Sequence, residues 1–345
     1  MKNNIWVNIG FQVGALVLAL LITTLLIIGA GAPPLQVYKS IVTGAFGSSN
    51  DIVSILISLA PLLLTTAGVL ITFAAGLWNI GVEGQMVLGA IFATWMLRIL
   101  QNTSVPPALI IILGILFGMV GGALWAALAG ALKTFGGVNE IFGGLGLDFV
   151  ATALTIYLVF GPWKRPGVGS MSGTQPFAEK FWLPTLPGTG LSLWALGLSV
   201  LAVIVVYLLL RGTYFGLRLK AVGKNTKAAF LLGVPTWQYS MLSFLACGLL
   251  VGMAGAIQVV AVYHRLLPNI SNGFGWLGLL VAMLINYQAI WVLPIAFFFA
   301  ALNVGGLQLQ IVYKLDSSFA SVLQDLLVLL VLLGQGLRER FVRKA

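Results

Sequence analysis

The sequence predicts an all-α polytopic membrane protein with about ten transmembrane helices, and three observations predict it. Of the 345 residues, 60% are apolar and only 8% are charged, and the mean hydropathy is +1.06. A soluble domain carries about 25% charged residues, so a soluble fold of this length could not cover its surface. The apolar runs extend for about 20 residues, as membrane-spanning helices require, whereas barrel strands would alternate over about 10 residues.

Ten apolar segments account for most of the chain, and we expect each to cross the membrane. The first exceeds the roughly 7–15 apolar residues of a cleaved signal sequence, so we expect it to be a membrane helix. The eighth is short, and only a weak break at 286–288 separates it from the ninth, which leaves nine spans as an alternative. The predicted spans are 9–30, 52–76, 80–99, 107–132, 140–160, 191–210, 237–262, 274–287, 290–311 and 318–336.

The positive charges predict the orientation of these spans. The formal net charge is +10, and lysine and arginine accumulate on the cytoplasmic side of membrane proteins. With ten spans, both termini and the 211–236 loop share the more basic side, so we expect both termini in the cytoplasm and the 161–190 loop outside. Nine spans would place the C-terminus outside. The accumulation of lysine and arginine on the cytoplasmic side explains the net charge of +10 better than binding to nucleic acid does.

Several kinds of chemistry are excluded by the composition. One cysteine, Cys247, permits neither a disulfide within the chain nor a CxxC site, and one histidine, His264, rules out a multi-histidine metal site. The sequence contains no GxxxxGK[ST] motif, so the chain has no phosphate-binding loop of its own. We therefore expect no catalytic residues and no metal site.

Residues 76–85 (GLWNIGVEGQ) interrupt the apolar pattern between the second and third predicted spans. Non-helical backbone at membrane depth is tolerated where it is buried in protein or lines a cavity. The carboxylate of Glu83 either caps the N-terminus of the third span, where it meets the helix dipole, or lies on a substrate path. The two roles are compatible.

A second polar segment precedes the fifth predicted span. Asn139 is a suitable N-cap, and Glu140 is favoured in the first helical turn. Asp148 lies about 12 Å further along the helix at 1.5 Å per residue. At that depth its carboxyl group requires a partner, a proton or an aqueous cavity.

The basic 211–236 loop contains a predicted short helix. Asn225 would cap it at about residue 226, and Gly233 and Pro235 would end it. The pair Ala228 and Ala229 gives it a narrow face suited to docking in a groove of another protein. The alternative is an amphipathic helix on anionic lipid.

Together, GLWNIGVEGQMVLGA and the later GLRLKAVGKNTKAAFLLGV resemble the permease subunits of ATP-binding-cassette importers. NIGVEGQ is similar to the nucleoside and simple-sugar branch of the ribose and branched-chain amino acid permease family. The resemblance implies the fold of the vitamin B12 importer permease, with an inverted repeat, in a bacterial or archaeal plasma membrane. It also implies three protein partners: a cytoplasmic ATPase that holds ATP and Mg, an extracytoplasmic substrate-binding lipoprotein, and a second permease subunit, with a heterodimer favoured over a homodimer.

The resemblance implies roles for two groups of residues. Those expected near the cytoplasmic gate and the translocation path are Trp78, Asn79, Glu83, Asn139, Glu140 and Asp148. Those expected in a coupling helix that docks on the ATPase are Gly223, Asn225, Ala228, Ala229 and Gly233. No cofactor is expected on this chain.

The expected solute is small and polar: a nucleoside, with a simple sugar or a riboflavin-like heterocycle as alternatives. A nucleoside needs stacking as well as hydrogen bonds, and aromatic walls could come from Trp78, Phe73, Phe274 and Trp276. The rival hypothesis is a proton-coupled secondary transporter with Glu83, Asp148 or Asp325 as the relay. That hypothesis leaves the predicted Asn225 helix unexplained.

Overall fold

A computed structural model describes residues 5–167, 173–285, 288–315 and 318–342. Within these ranges the chain forms thirteen α-helices and no β-strand, so the predicted all-helical class is confirmed. The helices are α1 (Ile5–Gly29), α2 (Pro34–Phe46), α3 (Ser49–Ala74), α4 (Val82–Leu100), α5 (Pro107–Thr134), α6 (Glu140–Phe160), α7 (Leu193–Gly212), α8 (Tyr214–Lys224), α9 (Thr226–Leu231), α10 (Thr236–Ile257), α11 (Phe274–Leu284), α12 (Val292–Tyr313) and α13 (Ser318–Val342).

Six helical segments in the described part of the chain are long and apolar enough to cross a membrane. They comprise α3, α5, α6, α7, α10 with its π-helical extension to Val262, and α12 with the turn before it. A seventh candidate is the pair Val17–Gly29 and Pro34–Phe46, which bends by 107° at a short break. The chain is therefore a multi-pass membrane protein.

Several elements differ from the prediction: the predicted spans 80–99 and 318–336, which correspond to α4 and α13, are not among the six candidates. The predicted span 274–287 corresponds to α11, which has 11 residues and is about 16 Å long, well short of a hydrocarbon core of about 30 Å. Residues 286 and 287 lie outside the described part of the chain. Helix α2 was not predicted, because a search for apolar runs near 20 residues passes over a 13-residue helix that starts at a proline.

The contacts divide the chain into two compact units. One contains the residues up to Ile55 and those from Phe297 onward, and the other is Leu56–Ala296. In the first unit α1 packs against α2 and α13, around buried Ile27, Val37 and Leu309.

The core of the second unit is formed by α4, α5 and α10, which approach one another through glycines. A Cβ atom at Gly252 on α10 would lie 2.3 Å from the carbonyl oxygen of Gly118 on α5. One at Gly122 would lie 2.3 Å from that of Gly248, so neither position has room for a larger residue. Small residues permit such close helix packing in lipid. This rigid core supports the polar segments singled out above.

Candidate functional site

The turn between α3 and α4, Gly76–Gly81, is held by a buried polar network. Asn79 is only 1% exposed, and its Nδ2 donates to Gln85 Oε1 at 3.2 Å and to Cys247 Sγ at 3.1 Å. Gln85 Nε2 donates back to Asn79 Oδ1 at 2.9 Å. Buried polar groups are costly unless paired in this way. Asn79 therefore fixes the turn to both α4 and α10.

The N-terminus of α4 is capped by an acid from another helix. Asp148 on α6 is 5% exposed, and its Oδ1 accepts a hydrogen bond from the Gly84 backbone N–H at 2.7 Å. A Cβ at Gly84 would lie 2.8 Å from both Asp148 Oδ1 and Trp125 Nε1, so the approach depends on glycine. A carboxyl group so far along a membrane helix requires a partner, and the partner of Asp148 is the Gly84 N–H, which belongs to the N-terminal turn of α4.

Glu83 lies at the helix end considered in the sequence and also reaches the N-terminus of a second helix. It is in the first turn of α4, and its carboxylate lies against Ser271 and Gly275, at the N-terminus of α11. A negative charge is favourable there for the same dipole reason. Glu83 occupies the first turn of α4 as expected, but the hydrogen bond to the Gly84 N–H comes from Asp148, and the carboxylate of Glu83 joins α4 to the short helix α11.

The predicted N-cap of α6 is confirmed. The Asn139 side chain accepts a hydrogen bond from Ile141 N–H at 2.9 Å, and Glu140 forms an ion pair with Lys133. One turn further, a Cβ at Gly144 would lie 2.6 Å from Gly81 N. The start of α6 therefore packs directly on the Gly76–Gly81 turn.

The predicted short helix in the basic loop is also confirmed, as α9. Asn225 Oδ1 accepts a hydrogen bond from Ala228 N–H at 3.0 Å, and Gly233 follows the helix with φ +81°. Ala228 is exposed but Ala229 is 2% exposed, so the two alanines do not share an outer face. The outer surface is instead apolar and consists of Phe230, Leu231 and Leu232, which are 67%, 84% and 82% exposed.

The segment that leads into α9 touches the Gly76–Gly81 turn. Gly223, in the last turn of α8, faces Gly76, which has φ +71°. A Cβ at Gly223 would lie 2.4 Å from Ala74 O and 2.8 Å from Gly76 N. The two backbones are therefore in direct contact, and a displacement of α8 reaches the end of α3 without an intervening side chain.

The four aromatic residues of the sequence prediction lie in two places. The rings of Phe73 and Trp78 are 5.3 Å apart, with Trp78 38% exposed. Phe274 and Trp276 lie in α11, where Phe274 is 4% exposed and Trp276 is 37% exposed. The half-exposed indoles of Trp78 and Trp276 offer surface to a solute, whereas Phe274 is packed inside the protein.

The 161–190 loop is ordered over the part that lies against the end of α10. Thr174 N–H donates to Leu266 O at 2.9 Å, and Phe177 N–H donates to His264 O at 2.9 Å. The Trp182 ring stacks on His264 at 3.7 Å, and burial lowers the pKa of that imidazole. These contacts favour an ordered cap over a flexible loop for residues 174–182.

Trp125 and Ser271 were missed by the sequence reasoning. Ser271 contacts Glu83, which is 188 positions away in the sequence, and Trp125 lies beside Gly84, which is 41 positions away, and no spacing rule connects such residues. Among the residues that the structure describes, no group of three or more His, Cys, Asp or Glu side chains could hold a metal ion.

We expect Asp148→Leu to lower the free energy of unfolding by about 1–3 kcal/mol, because it leaves the buried Gly84 N–H unpaired. Asp148→Asn keeps an oxygen acceptor and should cost clearly less. Cys247, the single cysteine, is buried, so a thiol-reactive fluorophore reports thermal unfolding in detergent. Equal losses for the two variants would contradict the capping role.

The chain is similar to the glucose ABC transporter permease protein TsgB13 of Haloferax volcanii, with 28% identity over 96% of this chain and 88% of that protein. It is also similar to two nucleoside ABC transporter permease proteins of Lactococcus lactis. NupB is 24% identical over 84% of this chain and 82% of its own length, and NupC is 27% identical over 84% and 94%.

The family described as branched-chain amino acid transport system / permease component matches residues 51–334. This range contains the Gly76–Gly81 turn, the start of α6 and the α8–α9 segment. Since the match covers most of the sequence, the chain belongs to this family of ABC transporter permeases and is a transport subunit rather than an enzyme.

Proposed function

We propose that this chain forms half of the translocation pathway of an ATP-driven importer whose solute is a nucleoside or, alternatively, a simple sugar. The names of its relatives support both solute classes, since NupB and NupC are called nucleoside permeases and TsgB13 a glucose permease. ATP and Mg belong to a separate ATPase, and an extracytoplasmic binding lipoprotein delivers the solute. Both termini lie in the cytoplasm under this proposal.

The observation that carries the proposal is the apolar outer surface of α9. Exposure of Phe230 and Leu231 on a six-residue helix, and of Leu232 directly after it, would be unfavourable in water unless another protein or the membrane surface covered them. We assign that role to the ATPase, so that α9 is the coupling helix. Gly223 then passes the ATPase motion to the Gly76–Gly81 turn through the backbone contact.

The proposed cytoplasmic gate is formed by the helix ends around this turn. Asn79, Glu140 and Asp148 hold these ends together, Asn139 caps α6, and Glu83 attaches the short helix α11 to them. The exposed indole of Trp78 is the proposed solute-facing side chain, with Phe73 behind it and Trp276 on α11. The resemblance to the vitamin B12 importer fold supports ten spans and an inverted repeat, in which α11 would be a broken span.

The second half of the pathway is proposed to be a different permease chain. Two distinct nucleoside permease proteins of one organism, NupB and NupC, are both similar to this chain, as expected if such proteins work in pairs. A heterodimer is therefore favoured over a homodimer.

The test is uptake of labelled guanosine, adenosine and glucose by cells that express the chain with its second permease, ATPase and binding protein. We expect uptake of one solute class, lost when the ATPase is replaced by a variant that cannot hydrolyse ATP. Unlabelled riboflavin, added as a competitor, tests the third solute class. Uptake that persists without the ATPase and collapses with a protonophore would instead favour the secondary-transporter hypothesis.

A further inference from the structure

A cavity of about 660 Å³ lies in the second unit, at the ends of α3 and α7 and beside α8. Cavities of about 300–1,000 Å³ are typical of sites for small organic ligands. Its wall includes Phe73, Leu210, Arg211, Lys220, Lys224 and Ile290. Neither Trp78 nor any residue of α9 lines this cavity, so the proposed function assigns no ligand to it.

The charged part of the wall is entirely basic. Lys220 and Lys224 are four residues apart and share one face of α8, and Arg211 joins them from the last turn of α7. The described part of the wall contains no acidic residue, and the ion pair found among the described residues, Lys133–Glu140, is elsewhere. Three basic side chains that line one cavity with no acidic side chain beside them favour the binding of an anion.

Apart from Gln288 and the Tyr207 hydroxyl, the remainder of the described wall is apolar, which distinguishes the site from one for a hydrated ion. Phe73, Leu210 and Ile290 line it together with two alanines, and the Arg211 guanidinium lies 5.6 Å from the Tyr207 ring centre. Helices α3 and α7 are candidate membrane spans, so their ends lie where lipid headgroups lie. Basic pockets at this level are suited to anionic headgroups.

We propose that this cavity binds an anionic phospholipid, with the phosphate among Arg211, Lys220 and Lys224 and the acyl ends against Phe73 and Ile290. Gly223 and Ala74, which touch each other across the α8–α3 contact, also line the cavity. The bound lipid therefore spans that contact and stabilises it. Lipid binding itself does not depend on the transported solute or on the ATPase.

Binding is measured by native mass spectrometry of the detergent-purified full chain, titrated with phosphatidylglycerol or phosphatidylcholine. The variant replaces all three cations: Arg211→Gln, Lys220→Gln and Lys224→Gln. Three basic residues near an anionic surface contribute about a hundredfold in affinity together, so we expect phosphatidylglycerol binding to weaken by about tenfold or more. Phosphatidylcholine should bind weakly to both proteins.

The matched control removes three exposed lysines that do not line the cavity: Lys164→Gln, Lys180→Gln and Lys227→Gln. It should bind phosphatidylglycerol as the unmodified chain does, and the Cys247 unfolding assay verifies that both variants are folded. Lys220→Gln alone serves if the triple variant is unstable. Equal weakening in the control, or equal binding of the two lipids, overturns the proposal.

A soluble anion is the other source of the same phosphate chemistry. Inorganic phosphate is therefore titrated alone and against phosphatidylglycerol. If phosphate at physiological concentration binds through the three cations and excludes the lipid, the site is for a soluble anion and the lipid assignment is wrong. If the lipid remains bound, the assignment stands, whether or not the chain transports a nucleoside.

Discussion

Replacing Leu231 and Leu232 with aspartate is expected to abolish co-purification of the ATPase with the permease. Both side chains are more than four-fifths exposed on α9, so the change does not disturb the interior of the chain. Burial of a leucine in an interface is worth about 1.5–3 kcal/mol, so losing two weakens the complex by about a hundredfold or more. ATP-dependent uptake should disappear with the complex.

The measurement is a pull-down in mild detergent after co-expression with the partner chains, with uptake by the same cells. The matched control places two aspartates on the 161–190 loop, at Thr185 and Leu186, which are also exposed. The control should retain the ATPase. Retention by the α9 variant, with the permease monodisperse, would show that the ATPase docks elsewhere.

The Asn225 helix illustrates how far the sequence could be read. Its existence, its cap and its end follow from local rules, since each involves residues within a few positions of one another. Its orientation does not, because the side of a six-residue helix that faces inward is decided by the chain packed beneath it. The sequence therefore indicated an outer face with both alanines, whereas Ala229 is buried.

The same distinction separates the predicted from the unpredicted parts of the fold. Apolar length locates the long helices, and glycine spacing indicates the close packing of α5 and α10. The predicted span 274–287 begins at the same residue as α11, whose N-cap Gly273 has φ +74°, but we expected it to cross the membrane although the helix has only 11 residues. Pairings such as Asp148 with Gly84, which are 64 positions apart, arise only from the tertiary fold.

The three acidic residues of the site serve helix ends in this structure. Asp148 accepts from the N-terminus of α4, Glu83 lies at that of α11, and Glu140 occupies the first turn of α6 beside Lys133. A charged carboxylate at a helix N-terminus is stabilising by about 0.3–2 kcal/mol, depending on exposure. These contacts give both buried carboxylates a role without a proton relay. Because the N-terminal ends of α4, α6 and α11 are joined by side chains, these helices can move apart when the turn between α3 and α4 moves.

Gly223→Ala is expected to reduce ATP-dependent uptake strongly while the ATPase remains bound. The added Cβ would lie 2.4 Å from Ala74 O and 2.8 Å from Gly76 N, which are backbone atoms that cannot rotate away. Overpacking of this kind costs about 1–3 kcal/mol and is relieved by moving the two segments apart. An energy of that size corresponds to about a 5- to 150-fold loss if uptake requires the contact.

Gly212→Ala is the matched control, because it lies at the end of α7 near the same loop and a Cβ there meets nothing within 4 Å. It should transport normally. Pull-down and uptake together separate docking of the ATPase from transmission of its motion to the Gly76–Gly81 turn. The variant with aspartate at Leu231 and Leu232 should lose both ATPase binding and uptake, whereas Gly223→Ala should lose uptake alone. Normal uptake by Gly223→Ala would mean that the ATPase stroke reaches the gate by another route. If the ATPase were lost as well, Gly223 would act by positioning α9 rather than by moving the Gly76–Gly81 turn.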